Sequence, residues 1–133
     1  MRKNGWGRVV MVATAGAKYP NPALVDYAAS KAAMIATACA LAKKYAADGV
    51  LVNSVLPGLI RTSMWERTAA EVASATDTTA EAVFAQRGAS VPVRRYGSAD
   101  EVAAAILFLC SQYGGYVNGA ALEVDGGLGA GMY

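Results

Sequence analysis

A long alanine-rich segment lies between two short runs of β-branched residues, and this order constrains the fold more than any other feature. The first run, residues 7–14, reads GRVVMVAT, and the second, residues 50–56, reads VLVNSVL. Continuous apolar runs of this length are typical of strands that are covered on both faces, as in a parallel sheet. Two such strands separated by one helix predict an α/β layer with a right-handed crossover.

The segment between the two runs carries helix signals at both ends. Asn21 followed by Pro22 is a typical start, with Asn as the N-cap and Pro at the first helical position. We predict a helix over Pro22–Ala47, ended by Asp48-Gly49. This segment holds 11 alanines and only four charged side chains, so we expect the helix to be buried on more than one side.

The more polar stretch over residues 60–97 predicts two short helices on the surface, placed where they would cover a site. Two capping-box pairs occur in it: Ser63 with Glu66, and Thr78 with Glu81. Its large apolar side chains are candidates for one wall of a pocket, with packing in a core as the alternative: Trp65, Phe84 and Val91.

The last third of the chain predicts one more helix and one more strand. Ser98 with Glu101 forms a third capping box, which opens a helix that extends to about Tyr113. Its expected buried stripe consists of Val102, Ile106, Leu109 and Cys110. A turn at Asn118-Gly119 leads into a short strand over Ala121–Val124, and Asp125-Gly126-Gly127 ends that strand. We expect the tail LGAGMY to be mobile or bound to a partner.

Composition excludes several classes of function. A chain of 133 residues predicts one domain, and the absence of histidine excludes His-based triads and His metal ligands, so no metal site is expected. Cys39 and Cys110 are far apart and are interpreted as small buried hydrophobes in a reducing, cytoplasmic compartment. A net charge of +2 without a basic run longer than two excludes a nucleic-acid footprint.

The same composition is too apolar for a small soluble monomer. Hydrophobic residues make up 55% of the chain and charged residues only 17%, against a usual ~25% charged. No uninterrupted apolar stretch reaches the ~18 residues of a membrane span, so we expect no membrane contact. The N-terminus, with Arg8 inside a short apolar run, does not predict a signal peptide. The excess therefore indicates a face buried against a partner, or a further piece of the protein.

Tyr27 and Lys31 lie four residues apart on the predicted helix and therefore share one face. A free tyrosine is a poor acid or base at neutral pH, but a nearby ammonium stabilises its phenolate. Such a pair can give a proton to a carbonyl oxygen or take one from an alcohol. The alternative is a packed tyrosine beside a solvated lysine. The alanine-rich surroundings favour the functional interpretation, because a buried ammonium needs a partner.

Candidate ligand-binding groups follow the first two predicted strands at their carboxyl ends, where open parallel sheets bind ligands. Thr14 ends the first strand and could hydrogen-bond a substrate oxygen. Pro57-Gly58 stops the second strand and would let the backbone approach a ligand, with the hydroxyl of Thr62 close behind. The alternatives are a hydroxyl that satisfies local backbone and an ordinary strand-to-loop turn.

Taken in order, these segments resemble the C-terminal half of the short-chain dehydrogenase/reductase family along the whole chain. The first run resembles the strand that leads to that family's active-site hydroxyl, and YAASKAA at Tyr27–Ala33 resembles its YxxxK helix. Residues 50–62 resemble its nicotinamide-contacting segment, and residues 118–127 its closing strand. The resemblance implies one partial NAD(P)-binding domain over residues 1–133. Its fold would be the C-terminal half of a Rossmann-like, doubly wound parallel sheet, with about three strands and flanking helices.

The resemblance also implies a function and site residues. The function would be hydride transfer between NAD or NADP and a carbonyl or secondary alcohol. Tyr27 would be the acid/base, Thr14 would orient the substrate, and Lys31 would favour the phenolate and hold the nicotinamide ribose. The remaining cofactor-binding residues would be Pro57 and Gly58, with Ile60 and Thr62 meeting the carboxamide. A homo-oligomer through the Pro22–Ala47 helix is implied as well.

Two departures from the family pattern keep a second interpretation open. Thr14 stands where the family usually has serine. The family's front half, with its phosphate-binding glycine-rich loop and one active-site asparagine, is not found in these residues, and the tail GGLGAG does not fit GxGxxG. The alternative is a truncated, catalytically inactive fragment or pseudoenzyme that acts only as an assembly partner. A small-molecule binding module without a redox step is a third possibility.

Overall fold

The computed structural model describes residues 1–129 and shows an α/β arrangement of three parallel strands with helices on both sides. The strands are β1 (Gly7–Val12), β2 (Val50–Pro57) and β3 (Ala121–Val124). The helices are α1 (Val25–Tyr45), α2 (Ser63–Ala75), α3 (Ala80–Gly88) and α4 (Ala99–Cys110). Residues 130–133, which belong to the tail expected to be mobile or partner-bound, lie outside the described residues.

The sheet has the order β1-β2-β3, so β2 is its central strand. Gly7 to Val12 pair in register with Val50 to Val55. Ser54 to Pro57 pair with the four residues of β3. Val52, Val55 and Leu56 are at most 2% exposed, as expected for a strand with a neighbour on each side. The predicted α/β class with about three parallel strands is confirmed.

The expectation that the first strand is covered on both faces is wrong within the described chain. Most of β1 is only half-buried, and Val12 is 44% exposed. Among residues 1–129, β1 pairs with β2 alone and is therefore an edge strand. The strand also ends at Val12 rather than Thr14, although the amide of Ala13 still donates to the Val55 carbonyl at 2.9 Å.

The predicted start and end of the long helix are confirmed. The Asn21 side chain accepts a hydrogen bond from the amide of Ala23 at 2.9 Å, and Pro22 opens a 3₁₀ turn that leads into α1. A second 3₁₀ turn, Ala46–Asp48, ends at Gly49 with φ 73°. Glycine is needed there for that left-handed backbone, and a Cβ at this position would also collide with the Gly5 carbonyl.

The expectation that the alanine-rich helix is buried on more than one side is wrong for the described chain. Only Ala28, Ala38 and Ala42 of α1 are buried, because the sheet covers one stripe of the helix. By length and composition alone, the continuous helical stretch Pro22–Asp48 passes a test for membrane-spanning helices, with 11% of its apolar window buried. One such helix is weak evidence for a membrane protein, because mostly buried core helices of soluble proteins and N-terminal signal sequences share this length and composition.

Two of the three predicted capping boxes are wrong. The N-cap of α2 is Thr62 rather than Ser63, and its side chain makes no capping bond. The N-cap of α3 is Thr79 rather than Thr78, with its hydroxyl accepting from the Ala82 amide at 3.1 Å. The third box is confirmed, since both of the Ser98 and Glu101 capping bonds are present at the start of α4.

The predicted extent and burial of α4 need correction. The helix ends at Cys110, and a separate 3₁₀ turn, Gln112–Gly114, covers the remainder of the predicted range. In the expected stripe only Leu109 is buried, while Val102, Ile106 and Cys110 are half-buried. Cys39 and Cys110 are both free thiols, and both are half-buried rather than fully buried. In the described chain nothing covers the outer part of this stripe.

Candidate active site

The carboxyl ends of β1 and β2 meet at Thr14 and Pro57. Thr14 is extended, and its hydroxyl accepts from the Gly16 amide at 3.3 Å while donating to the Pro57 carbonyl at 3.5 Å. The second distance is at the limit of a hydrogen bond, so the donated proton is weakly held. Thr14 therefore satisfies local backbone, as the structural alternative proposed, and still has a hydroxyl that can turn towards a substrate oxygen.

Lys31 is anchored at the same end of the sheet. Its ammonium donates to the Val12 carbonyl, the last of β1, at 3.0 Å. The same nitrogen lies 5.8 Å from the centroid of the Tyr27 ring, within the range of a cation–π contact. Tyr27 itself is 45% exposed, so a substrate can reach it. The first turns of α1 thus hold Tyr27 and Lys31 beside the strand end that leads to Thr14.

Gly58 is required by the packing of the chain itself. Its amide donates to the Val124 carbonyl at 3.1 Å, and a Cβ on this residue would lie 2.7 Å from the Cα of Asp125. The turn after β2 therefore packs directly on the turn after β3. The close approach of a ligand to Pro57-Gly58 stays a prediction, because packing alone explains the glycine.

The predicted carboxamide contacts, Ile60 and Thr62, lie in a segment that is held by its backbone. The Gly97 amide donates to the Leu59 carbonyl and the Arg61 amide donates to the Gly97 carbonyl, both at 2.9 Å, forming a parallel bridge between Ile60 and Gly97. Thr62 is exposed at the start of α2. The segment lies directly beyond the end of β2, as the sequence predicted.

Arg61 is a residue of this region that the sequence analysis missed. Its guanidinium forms two hydrogen bonds with the carboxylate of Glu81 and one with Glu66, and it stacks 4.2 Å from the ring centroid of Phe84. The hydrogen bonds from Arg61 hold the pKa of the Glu81 carboxyl below its usual value. The two glutamates are those of the wrongly predicted capping boxes, and they bind Arg61 instead of their helix starts.

The large apolar side chains over α2 and α3 pack in a core. Phe84 and Val91 are buried, and the Tyr96 ring makes edge contacts with Phe84 at 5.0 Å and with Trp65 at 6.2 Å between centroids. For Trp65 and Phe84 the structure therefore supports packing in a core, and Val91 is buried as well.

The loop after Thr14 is tied to the third strand by a contact that the sequence did not indicate. The Lys18 ammonium and the Glu123 carboxylate on β3 lie 2.6 Å apart, with both side chains at most 30% exposed. Beside this loop, a groove of about 450 Å³ runs along the start of α1, with mostly apolar walls. It is lined in part by Pro20, Pro22, Val25, Ala28, Ala29 and Ala32. Unlike the site of Tyr27 and Lys31 at the carboxyl end of β1, this groove contains no ionisable side chain among the residues that the structure describes.

Comparisons with known proteins agree with this arrangement. The profile of the family described as Enoyl-(Acyl carrier protein) reductase matches residues 1–129. The chain is 35% identical over 128 residues to the 3-oxoacyl-(acyl-carrier-protein) reductase FabG of Aquifex aeolicus, covering 96% of this chain and 47% of that protein.

Two solved structures show the same fold over nearly the whole chain. An L-sorbose reductase from Gluconobacter frateurii, complexed with NADPH and L-sorbose, superposes with a TM-score of 0.93 at 31% identity, over 99% of this chain and 51% of that one. An oxidoreductase of the short-chain dehydrogenase/reductase family from Burkholderia thailandensis gives a TM-score of 0.83 at 35% identity, over 98% and 48%.

The chain spans about half the length of the relatives it matches. Within that half, the profile, the sequence relative and the solved structures agree on one assignment. The fold shared with them is the Rossmann-like parallel sheet that the motifs predicted. On these findings, the chain belongs to the short-chain dehydrogenase/reductase family of oxidoreductases.

Proposed function

We propose that the protein carrying this chain transfers hydride between NAD(P)H and a carbonyl compound or secondary alcohol, with Tyr27 as the acid/base. One observation carries the proposal: the Lys31 ammonium lies against the Tyr27 ring and bonds to the Val12 carbonyl, at the strand end that leads to Thr14. A proton donor, a cation beside it and a hydroxyl at one sheet end form a set suited to carbonyl reduction.

The residues present fit the nicotinamide half of such a cofactor. Lys31 supplies an ammonium whose bond to Val12 leaves two further protons for ribose hydroxyls. The exposed hydroxyl of Thr62 and the backbone around Ile60 supply polar groups for a carboxamide. Pro57 and Gly58 connect the end of β2 to this segment. A cradle for the pyrophosphate is not part of this set of residues.

The chemistry divides simply between cofactor and chain. A nicotinamide held by Lys31 and the Ile60–Thr62 segment would supply the hydride that reduces the carbonyl carbon. The Tyr27 hydroxyl gives its proton to the carbonyl oxygen as negative charge develops there, and the reverse reaction returns the proton to the phenolate. Lys31 stabilises that phenolate through its charge. Thr14 donates a hydrogen bond to the same carbonyl oxygen and fixes its position between the two groups.

The relatives, the exposed face of α1 and the cysteines support the proposed substrate class, cofactor, oligomer and compartment. The relatives include a 3-oxoacyl-(acyl-carrier-protein) reductase and an L-sorbose reductase complexed with NADPH and L-sorbose, which favours a carbonyl substrate and NADP(H) among the two cofactors. The exposed alanine face of α1 supports a homo-oligomer formed through the Pro22–Ala47 helix. Two free cysteines are consistent with a cytoplasmic protein. No nucleic acid or membrane belongs to the proposed function.

Cofactor titration tests the proposal before any substrate is known. We expect NADPH or NADH to give a saturable change in nicotinamide fluorescence with the protein expressed from its complete coding sequence. Lys31→Met should weaken that binding about tenfold or more, because it removes the ribose-facing ammonium. Lys43→Met, at the other end of α1, is the matched control and should bind as the wild type does. Absence of saturable binding at millimolar cofactor would favour the inactive assembly partner instead.

A further inference from the structure

The two helices that follow the proposed nicotinamide segment form a unit with its own core. The α2–α3 unit (residues 63–88) packs around Ala69, Ala73, Val83 and Phe84, together with Tyr96. This cluster is separate from the one between α1 and the sheet. The unit joins the rest of the described chain through residues 58–62 on one side and residues 89–98 on the other. Its position therefore depends on few connections.

Arg61 is placed to control one of those connections. It belongs to the segment between Ile60 and Thr62, and its backbone is bonded to Gly97. Its side chain reaches the first turn of α2 through Glu66 and the first turn of α3 through both oxygens of Glu81. Its guanidinium carbon lies over the Phe84 ring, 4.2 Å from the centroid, and Phe84 belongs to the unit's core. A single side chain thus joins both helices to the segment.

The arrangement uses properties that only arginine has. A planar guanidinium can form a bidentate pair with a carboxylate and stack on an aromatic ring simultaneously, whereas a lysine ammonium is a single compact charge. Exposed ion pairs contribute little stability one by one. All three groups here are well exposed, so their combined effect is expected in the placement of the helices rather than in the overall stability.

We propose that Arg61 is a positioning residue that locks the α2–α3 unit onto the Ile60–Thr62 segment and so fixes the geometry of the proposed nicotinamide contacts. This inference rests on the proposed function for the identity of the ligand, and on the contacts of Arg61 for the lock itself. When Arg61 loses its contacts with Glu66, Glu81 and Phe84, the unit moves relative to the sheet and the Ile60–Thr62 segment loses its fixed geometry.

Amide hydrogen exchange on the chain tests the lock without any assay of activity. We expect Arg61→Lys to speed exchange of the hydrogen-bonded amides of α2 and α3 about tenfold, with β2 unchanged. Glu81→Gln should act in the same direction, and it serves as the test if Arg61→Lys fails to fold. The matched control is Arg87→Lys on α3, which alters a cation–π contact with Trp65 but does not bridge the two helices. Equal exchange in Arg61→Lys and Arg87→Lys would overturn the inference.

The coupling to the cofactor segment needs a second readout. At low salt, Arg61→Lys should weaken binding of NADPH at least threefold in the protein expressed from its complete coding sequence. High salt, which screens exposed ion pairs, should reduce the difference in NADPH affinity between the wild type and the variant. Faster exchange with unaltered NADPH affinity would overturn the coupling. If the wild type binds neither NADPH nor NADH, the proposed function fails, and exchange at the Ile60–Thr62 amides decides the inference alone.

Discussion

The hydroxyl of Thr14 joins the ends of two strands at the point where the proposed reaction takes place. Its acceptor contact with Gly16 and its long donor contact with Pro57 place it without using its full hydrogen-bonding capacity. The additional methyl group of threonine restricts rotation of the side chain, since β-branched residues are stiff at χ1. Thr14 is thus suited to hold one hydroxyl towards one oxygen.

Two substitutions of Thr14 distinguish the contribution of its hydroxyl to catalysis from the contribution of its branched shape. Thr14→Val keeps the branched shape and should lower kcat/KM about 10- to 100-fold, because a hydrogen bond to a charged oxygen is worth about 1.5–3 kcal/mol. Thr14→Ser keeps the hydroxyl and should stay within about fivefold of the wild type. Steady-state kinetics of the three proteins measure this. An active Thr14→Val variant would remove Thr14 from the catalytic set.

The individual site residues differed in how far the sequence could predict them. Tyr27, Lys31 and Thr14 could be placed because their relations follow from one helix period and one strand end. Arg61 could not, because its partner Glu81 is 20 residues away and approaches only after α2 and α3 pack. Lys18 and Glu123 are separated by 105 residues, and no local pattern connects them.

Among the helices of the described chain, only the start of α4 has the capping box that the sequence predicted. The capping box of Ser98 and Glu101 is local, and Arg95, six residues before Glu101, strengthens it. The equally spaced Glu66 and Glu81 have a competing partner in Arg61, which draws both carboxylates away from the helix starts. Spacing therefore predicted that these helices exist, but not that α2 begins after Thr62 and α3 after Thr79.

The α4 start predicts a specific dependence of stability on pH. Hydrogen bonds from Arg95, and then from the Ser98 amide, lower the pKa of Glu101 from 4.5 to about 2. A carboxyl whose pKa falls on folding stabilises the folded state above its unfolded value, so this contribution is complete above pH ~4.5 and is lost as the pH falls towards 2. Thermal unfolding of Glu101→Gln should show a lower midpoint at pH 7 and a smaller loss on acidification. An unchanged acid profile would contradict the assignment.

At the scale of the whole molecule, the excess of apolar residues is displayed on the outside. One face of α1 is exposed along its length, β1 has a free edge within the described chain, and Leu107 on α4 is 69% exposed. A composition with 55% hydrophobic residues predicted uncovered surfaces of this kind. Composition could not say where they lie, because that depends on which faces the sheet covers. Within the described chain, β1 and α1 are less buried than predicted, because β1 pairs with β2 alone and the sheet covers only one stripe of α1.

The oligomer proposed through α1 gives a direct test of this exposed surface. Ala32 lies on the exposed face of the helix and lines the apolar groove. Ala32→Arg should place a charge in a small-residue interface and convert an oligomer to a monomer in light scattering. Ala70→Arg, the same substitution at an exposed position of α2, is the control and should leave the mass unchanged. A wild-type protein that is monomeric, or a variant with the wild-type mass, would contradict the proposed interface.

In the proposed reaction Tyr27 moves the proton during hydride transfer, and the Tyr27→Phe variant tests this role. The substitution removes one hydroxyl from an exposed side chain and leaves the helix and the Lys31 anchor in place. The measurement is oxidation of NADPH by a carbonyl substrate in the protein expressed from its complete coding sequence, with cofactor affinity determined on the same samples. We expect a fall in kcat of about 100-fold or more with NADPH still bound. A variant that binds NADPH and keeps its kcat within a few-fold of the wild type would contradict it.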